Sequence, residues 1–399
     1  MPRSRSGSRH CNGFALAVLA ALALTGCALP YYAQAISGQM GIMERERPIA
    51  RVLRDARTPR AVKHRLRYVL AVRRFARTHL HLPLHGDYRD YADLHRAAVV
   101  WNVFAAPRLS LTLKRWCFPV AGCVAYRGDF SWKRAVHSAQ RLRKRGYDVF
   151  VAPVPAYATL GYFRDPVLST FLDESRPEIA HLIFHELSHD LLYVPGATTF
   201  DESFADTVAD VGVQRFLQAE GTLAERRAYA RGRRRRREVA ALLQTCRARL
   251  ARVYRDTALP VSVRLRDKRR IFRALHAAWL RLETRWGGNH GFGAFFAQRF
   301  NNATLGAYAS YHQLVPAFRR LLALEGGHLK SFYRAARWYA RLPRPLRDRE
   351  LASRRGLIGR LPALHKPQVR THALKVDRPR PLGVHGPRLA RAIEHRAHD

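Results

Sequence analysis

The chain has 399 residues, 47% of them hydrophobic and 10% aromatic, which is enough for a sizeable core and one or two domains. Its formal net charge is +41, from 71 Lys and Arg against 30 Asp and Glu. Such a surface draws polyanions or anionic lipid through its long-range field, but it excludes no chemistry, because an Arg-rich, solvated surface has the same charge.

The N-terminus reads as an export signal. "MPRSRSGSRH" is a basic n-region, and "FALAVLAALAL" (14–24) is an apolar run too short for a comfortable permanent span. It ends in "LTGC", Leu24-Thr25-Gly26-Cys27, the pattern of a bacterial lipobox in which the Cys becomes the acylated first residue. Residues 1–26 are therefore expected to be a lipoprotein signal peptide and Cys27 a membrane anchor. Ala28 follows where an Asp would favour the inner membrane, so the expected location is the outer membrane, facing the periplasm. That location argues against a nucleic-acid partner. Cys117 and Cys123 flank "FPVAG", a Pro/Gly turn that can bring them together, so a disulfide is expected in an oxidising compartment. Cys246 is left as a buried thiol.

The remaining elements follow in chain order. Residues 31–53 read as a helix ending near Pro48, and 59–83 as a second, basic helix. Strands and turns are expected over 100–127. A helix over 131–146 has Ser131 as N-cap and Gly146 as terminator. A buried strand covers 147–155, and "YATLGYF" (157–163) reads as an edge strand able to pair with an extended substrate. "SRPEIAHLIFHELSHDLLYVPG" has apolar residues at helical spacing, Ser175 and Glu178 as a capping box, and Pro195-Gly196 as its stop. A helix then runs from about Thr199–Asp201 to Gly221, and helices follow to about 341 with breaks at Pro260 and 287–293. The predicted organisation is a domain over 27–345 and a basic Pro/Arg/His-rich tail over 346–399 without stable structure.

The chemistry sits in "HLIFHELSHDLL" (181–192). His185 and His189 are four apart on one helix, so both rings project from one face, as two corners of a tetrahedral zinc site require. Glu186 is placed to act as general base on a water at an open metal position. This is the HExxH pattern of zincins. Glu202, on the following helix, is the candidate third ligand; its alternative is a capping box with Thr199, and Asp201 offers another cap. Asp206, one turn on, is expected to bond the outer nitrogen of a ligand histidine. His181 reads as a hydrogen-bonding histidine and not as a further ligand. For the oxyanion donor the candidates are Tyr157, Tyr162, His290, Tyr308, Tyr311 and His312, with Tyr311 and Tyr162 ranked first. Asp165 and Glu174 are candidates for holding a substrate amine.

The segments "YYAQAISGQM", "CFPVAGCVAYRG", "TLGYFRDPVLSTFL", "IFHELSHDLLYV", "FDESFADTVADVGVQRFL" and "RFNNATLGAYASYHQLVPAF" resemble the predicted zinc aminopeptidase family of proteobacterial lipoproteins, over about residues 31–345. The resemblance implies a gluzincin-like metallopeptidase with one zinc, in which His185, Glu186, His189 and Glu202 carry over. Asp201 departs from the Asn usual there, and the tail past about 353 is longer than the family's. The expected fold is α+β: a helix-rich, zincin-like metallopeptidase with a small sheet before the zinc helix and a helical C-terminal region. Its substrate would be a peptide or protein. The rival reading is a non-catalytic lipoprotein whose Arg-rich surface binds anionic lipid or polysaccharide of the envelope.

Overall fold

The computed structural model describes residues 29–353, except 119–121, 161 and 289–290. Its first half alternates helices and short strands: α1 (Leu29–Met43), β1 (Glu46–Pro48), α2 (Ile49–Arg54), α3 (Arg60–His79), β2 (Asp90–Ala92), β3 (Val100–Pro107), β4 (Trp116–Phe118), β5 (Gly122–Val124), β6 (Arg127–Asp129), α4 (Trp132–Lys144), β7 (Tyr147–Val154) and β8 (Val167–Leu168). Helices follow: α5 (Ser169–Leu172), α6 (Arg176–Leu191), α7 (Thr198–Glu220), α8 (Leu223–Arg255), α9 (Val261–Arg285), α10 (Gly293–Ala297), α11 (Asn302–His312), α12 (Val315–Leu324), α13 (Leu329–Ala340) and α14 (Arg344–Ala352). The α+β class expected from sequence is the class observed.

The main sheet is antiparallel, in the order β6-β3-β7. β3 alternates its side chains between two different packings. Val103 and Ala105 join Ala135, Ala139 and Val149 in a core under α4. Phe104 and Ala106 face the other way, onto Ala303 and Ala307 of α11. The sheet thus fixes α11 relative to β3. Tandem asparagines complete the join. Asn301 caps α11 by accepting from the N–H groups of Ala303 and Thr304. Asn302, fully buried, donates to the carbonyls of Pro107 and Arg108, both at 3.0 Å, and its N–H donates to Asp148.

α6 and α7 form an antiparallel pair packed on α3. Ile179, Ile183, Phe184 and Leu187 of α6 are buried, and Phe184 meets Phe75 and Phe216 in an aromatic cluster that Tyr68 extends. Each buried Phe contributes about 1.5–3 kcal/mol of apolar transfer. The approach of the helices is close enough to demand glycine: a Cβ at Gly212 would lie 2.7 Å from side-chain carbons of both Phe184 and Leu80. The connecting turn uses Gly196 at φ +79°. Asp201 accepts from the Val194 N–H at 2.9 Å, and Arg115 donates to the carbonyls of Gly196 and Cys123. The β4–β5 hairpin, closed by the Cys117–Cys123 disulfide, is thereby tied to that turn.

Several expectations change. The first helix stops at Met43; Glu46–Pro48 pairs with β2, and Pro48 then starts α2. The stretch 157–163 holds no strand among its described residues: Leu160 has φ +55°, and Thr159 and Asp165 close a loop through the Thr159 N–H to Asp165 bond of 3.0 Å. Ser175 precedes α6 without a capping bond, because Glu178 is taken by Arg236 at 3.1 Å. A closed capping box occurs instead at Thr222–Glu225. The tail begins with order, since α14 buries Arg347 and Leu351. The remainder of the tail and Cys27 lie outside the described residues. Cys246 is a buried free thiol.

Gly212→Val should lower stability by about 1–3 kcal/mol through overpacking, read as a lower urea midpoint with unchanged slope.

Candidate metal centre and cleft

α6 aims His185 and His189 at α7, and α7 returns Glu202 from the opposite side. His185 Nε2 lies 3.1 Å from Glu202 Oε2, His189 Nε2 lies 3.3 Å from His185 Nε2, and His189 Nε2 lies 3.7 Å from Glu202 Oε2. These side chains keep only 12, 10 and 10% of their surface. Three ligands of a tetrahedral zinc, with bonds of about 2.0–2.1 Å, stand about 3.3–3.4 Å apart. The spacing fits, and two imidazoles with one carboxylate are a zinc-type donor set. Among the described residues this is the one His/Cys/Asp/Glu group with the geometry to hold an ion.

The local field also favours a cation. Burial opposes charge on Glu202, yet the His185 hydrogen bond and the nearby His189 hold its carboxyl down at about 2. Burial likewise opposes a charge on His189, but the adjacent Glu202, with Glu186 and Asp201 nearby, raises it to about 9. Glu186 is raised above the usual carboxylate range, by burial first. Asp201 is pushed up to about 8, mainly by burial.

Asp206 is placed differently from expectation. It does not touch the outer nitrogens of the ligand histidines. Its two oxygens lie 3.3 Å from His181 Nε2 and 3.3 Å from His312 Nδ1. The reason is α11, which brings His312 across 106 residues of chain to the face that Asp206 presents. Thr199 lies inside α7, so Glu202 is not its capping partner.

The centre opens into a cleft of about 730 Å³. Its walls come from α1, the cleft face of β3, β6 and β7, the 155–160 loop and α11. Tyr311 stacks near His185, with ring centroids 6.5 Å apart. It is half-buried, and desolvation, with the field of Glu202 and Glu186, raises the proton affinity of its hydroxyl. Tyr157, Tyr308 and His312 also line the cleft, and His290 lies outside the described residues. Tyr162 is 68% exposed and is not among the described residues that line the cleft. Tyr126 was not singled out from sequence, yet it lines the cleft half-buried, within the field of Glu202 and Glu186. Nothing local marks it; only β6 and its neighbours carry it there. The Asp165 carboxylate accepts from the Thr159 N–H and its own N–H donates to Asp87, whereas Glu174 lines a separate cavity of about 580 Å³ that also reaches His185 and Glu186.

A protein-family model described as "Putative aminopeptidase" matches residues 30–351. The chain belongs to that family. No curated protein and no solved structure matches it. Membership in the aminopeptidase family makes the chain a hydrolase of peptides, and the matched span runs from α1 to α14 and includes the whole His-His-Glu group.

Because Asp206 contacts neither ligand histidine, Asp206→Asn should leave metal stoichiometry unchanged. Glu202→Gln, with a neutral amide as a poor ligand, should lose the metal; elemental analysis of the two purified variants separates these outcomes.

Proposed function

We propose that this aminopeptidase-family chain is a zinc-dependent, gluzincin-like peptidase with His185, His189 and Glu202 as ligands. The observation that carries the reading is the convergence of those three donor atoms at 3.1–3.7 Å beside Glu186 in one cleft. When bound there, zinc supplies Lewis acidity, polarising the scissile carbonyl and making water nucleophilic near neutral pH.

The chain's own groups do the rest. Glu186 takes the proton of the attacking water and passes it to the leaving amine. The carbonyl oxygen gains negative charge during attack. Tyr311, half-buried beside His185, keeps its proton and is the favoured hydroxyl donor to that oxygen. Tyr126 is the second such hydroxyl. The aromatic walls exclude water and strengthen these interactions.

Anchoring is a separate proposal and rests on "LTGC". No helix among the described residues is long and apolar enough to cross a membrane. Acylated Cys27 would hold the enzyme at the bacterial outer membrane, facing the periplasm. Cys27→Ser should abolish acyl labelling and release the protein to the soluble fraction; unchanged labelling would show that the motif is incidental.

The decisive variant is Glu186→Gln. It preserves shape and leaves the ligands intact, so zinc should remain bound. Hydrolysis of peptide amides should fall by about 10²–10⁴-fold. A wild-type protein that holds zinc but cleaves no amide in a broad peptide library would refute the reading.

A further inference from the structure

The cleft contrasts with the rest of the chain. The protein carries 71 Lys and Arg, yet none of the described residues lining the cleft is Lys or Arg. Its charged and titratable side chains, other than tyrosines, are the His-His-Glu group, Glu186 and His312. Away from that end the walls are aromatic and aliphatic, with Phe104, Phe118, Phe130 and Phe150 among them.

One side chain breaks the pattern. Asn102 lies on the cleft face of β3, two residues from Val100 and two from Phe104. It is only 5% exposed, it lines the cleft, and it is not among the groups sealed from solvent without a partner, so its amide is reachable from the cleft. Its neighbours in register are small: Gly128 on β6 and Ala152 on β7. A Cβ at position 128 would stand 3.3 Å from Asn102 Oδ1 and 3.0 Å from a Val100 methyl. The sheet therefore leaves room around the amide at the floor of the cleft. The group has one donor and one acceptor end, which matches the main chain of a peptide.

We propose that the cleft selects peptides with a large apolar or aromatic side chain beside the scissile bond, and that Asn102 positions them by hydrogen-bonding their main chain. The inference rests on the peptidase reading for the words "scissile bond", but not for the binding itself. Apolar burial supplies affinity, and the single amide supplies orientation, the usual division in a ligand cleft. A charged side chain entering the apolar part of the cleft, away from Glu186 and the His-His-Glu group, would find no counter-charge there.

Calorimetric binding of phenylalaninamide and glycinamide to the full chain tests this without requiring turnover. Phenylalaninamide should bind at least about tenfold more tightly. Asn102→Leu replaces the amide by an apolar group of similar size, and an unchanged melting temperature checks that the variant folds. The substitution should weaken phenylalaninamide by about five- to tenfold. If leucine does not fit, Asn102→Ala serves for the affinity measurement. Equal binding of the two amides overturns the proposal, as does an unchanged affinity in folded Asn102 variants. Selective phenylalaninamide binding in a zinc-loaded protein that hydrolyses nothing would defeat the peptidase reading and leave this one standing.

Discussion

Everything at the site depends on how closely α6 and α7 pack. Their approach brings a carboxylate from one helix to the ring nitrogens of the other. A buried carboxylate and two buried imidazoles would be costly as isolated polar groups, and mutual hydrogen bonding offsets that cost in the metal-free chain. The glycine at 212 permits the approach, and the aromatic cluster of Phe75, Phe184 and Phe216 holds it. The β4–β5 hairpin, through Arg115, fixes the turn between the helices. The sheet and α11 then build the cleft against this pair, with Ser203 of α7 donating to the Tyr311 carbonyl and accepting from the Leu314 N–H.

The arginine excess takes a more specific form than a solvated coat. In "RGRRRRRE", Arg233 and Arg236 turn inward from α8, while Arg231, Arg234 and Arg237 are exposed. Arg236 pairs with Glu178 of α6, and Arg319 pairs with Asp210 of α7, which also accepts from Tyr229. These contacts brace the back of the two site helices. Arg235, Arg236 and Glu178 also line the smaller cavity that reaches His185 and Glu186, whereas no Lys or Arg is among the described residues lining the larger cleft.

What could be read from sequence was what local spacing determines. His185 and His189 at i and i+4, the apolar stripe through Ile179, Ile183 and Leu187, and the short turn to Glu202 all lie within 30 residues. What could not be read depends on partners far away. Asp206 was given the wrong partners because His312 arrives from α11. Ser175–Glu178 has the pattern of a cap, but Arg236, 58 residues from Glu178, competes for the carboxylate. The "TLGYF" stretch alternates poorly enough that Thr159 and Asp165 fold it into a loop. Asn102 carries no signal in its own neighbourhood; only the β6-β3-β7 register sets it between Gly128 and Ala152 on the cleft floor.

The central claim is that α6 and α7 together create one His-His-Glu metal centre. X-ray absorption at the zinc edge of the purified, zinc-loaded protein tests it most directly. The account predicts one zinc with two imidazole nitrogens and carboxylate or water oxygens, all at about 2.0–2.2 Å, and no sulfur in the shell. A shell containing sulfur, a single imidazole, or a protein that retains no zinc after desalting would contradict it.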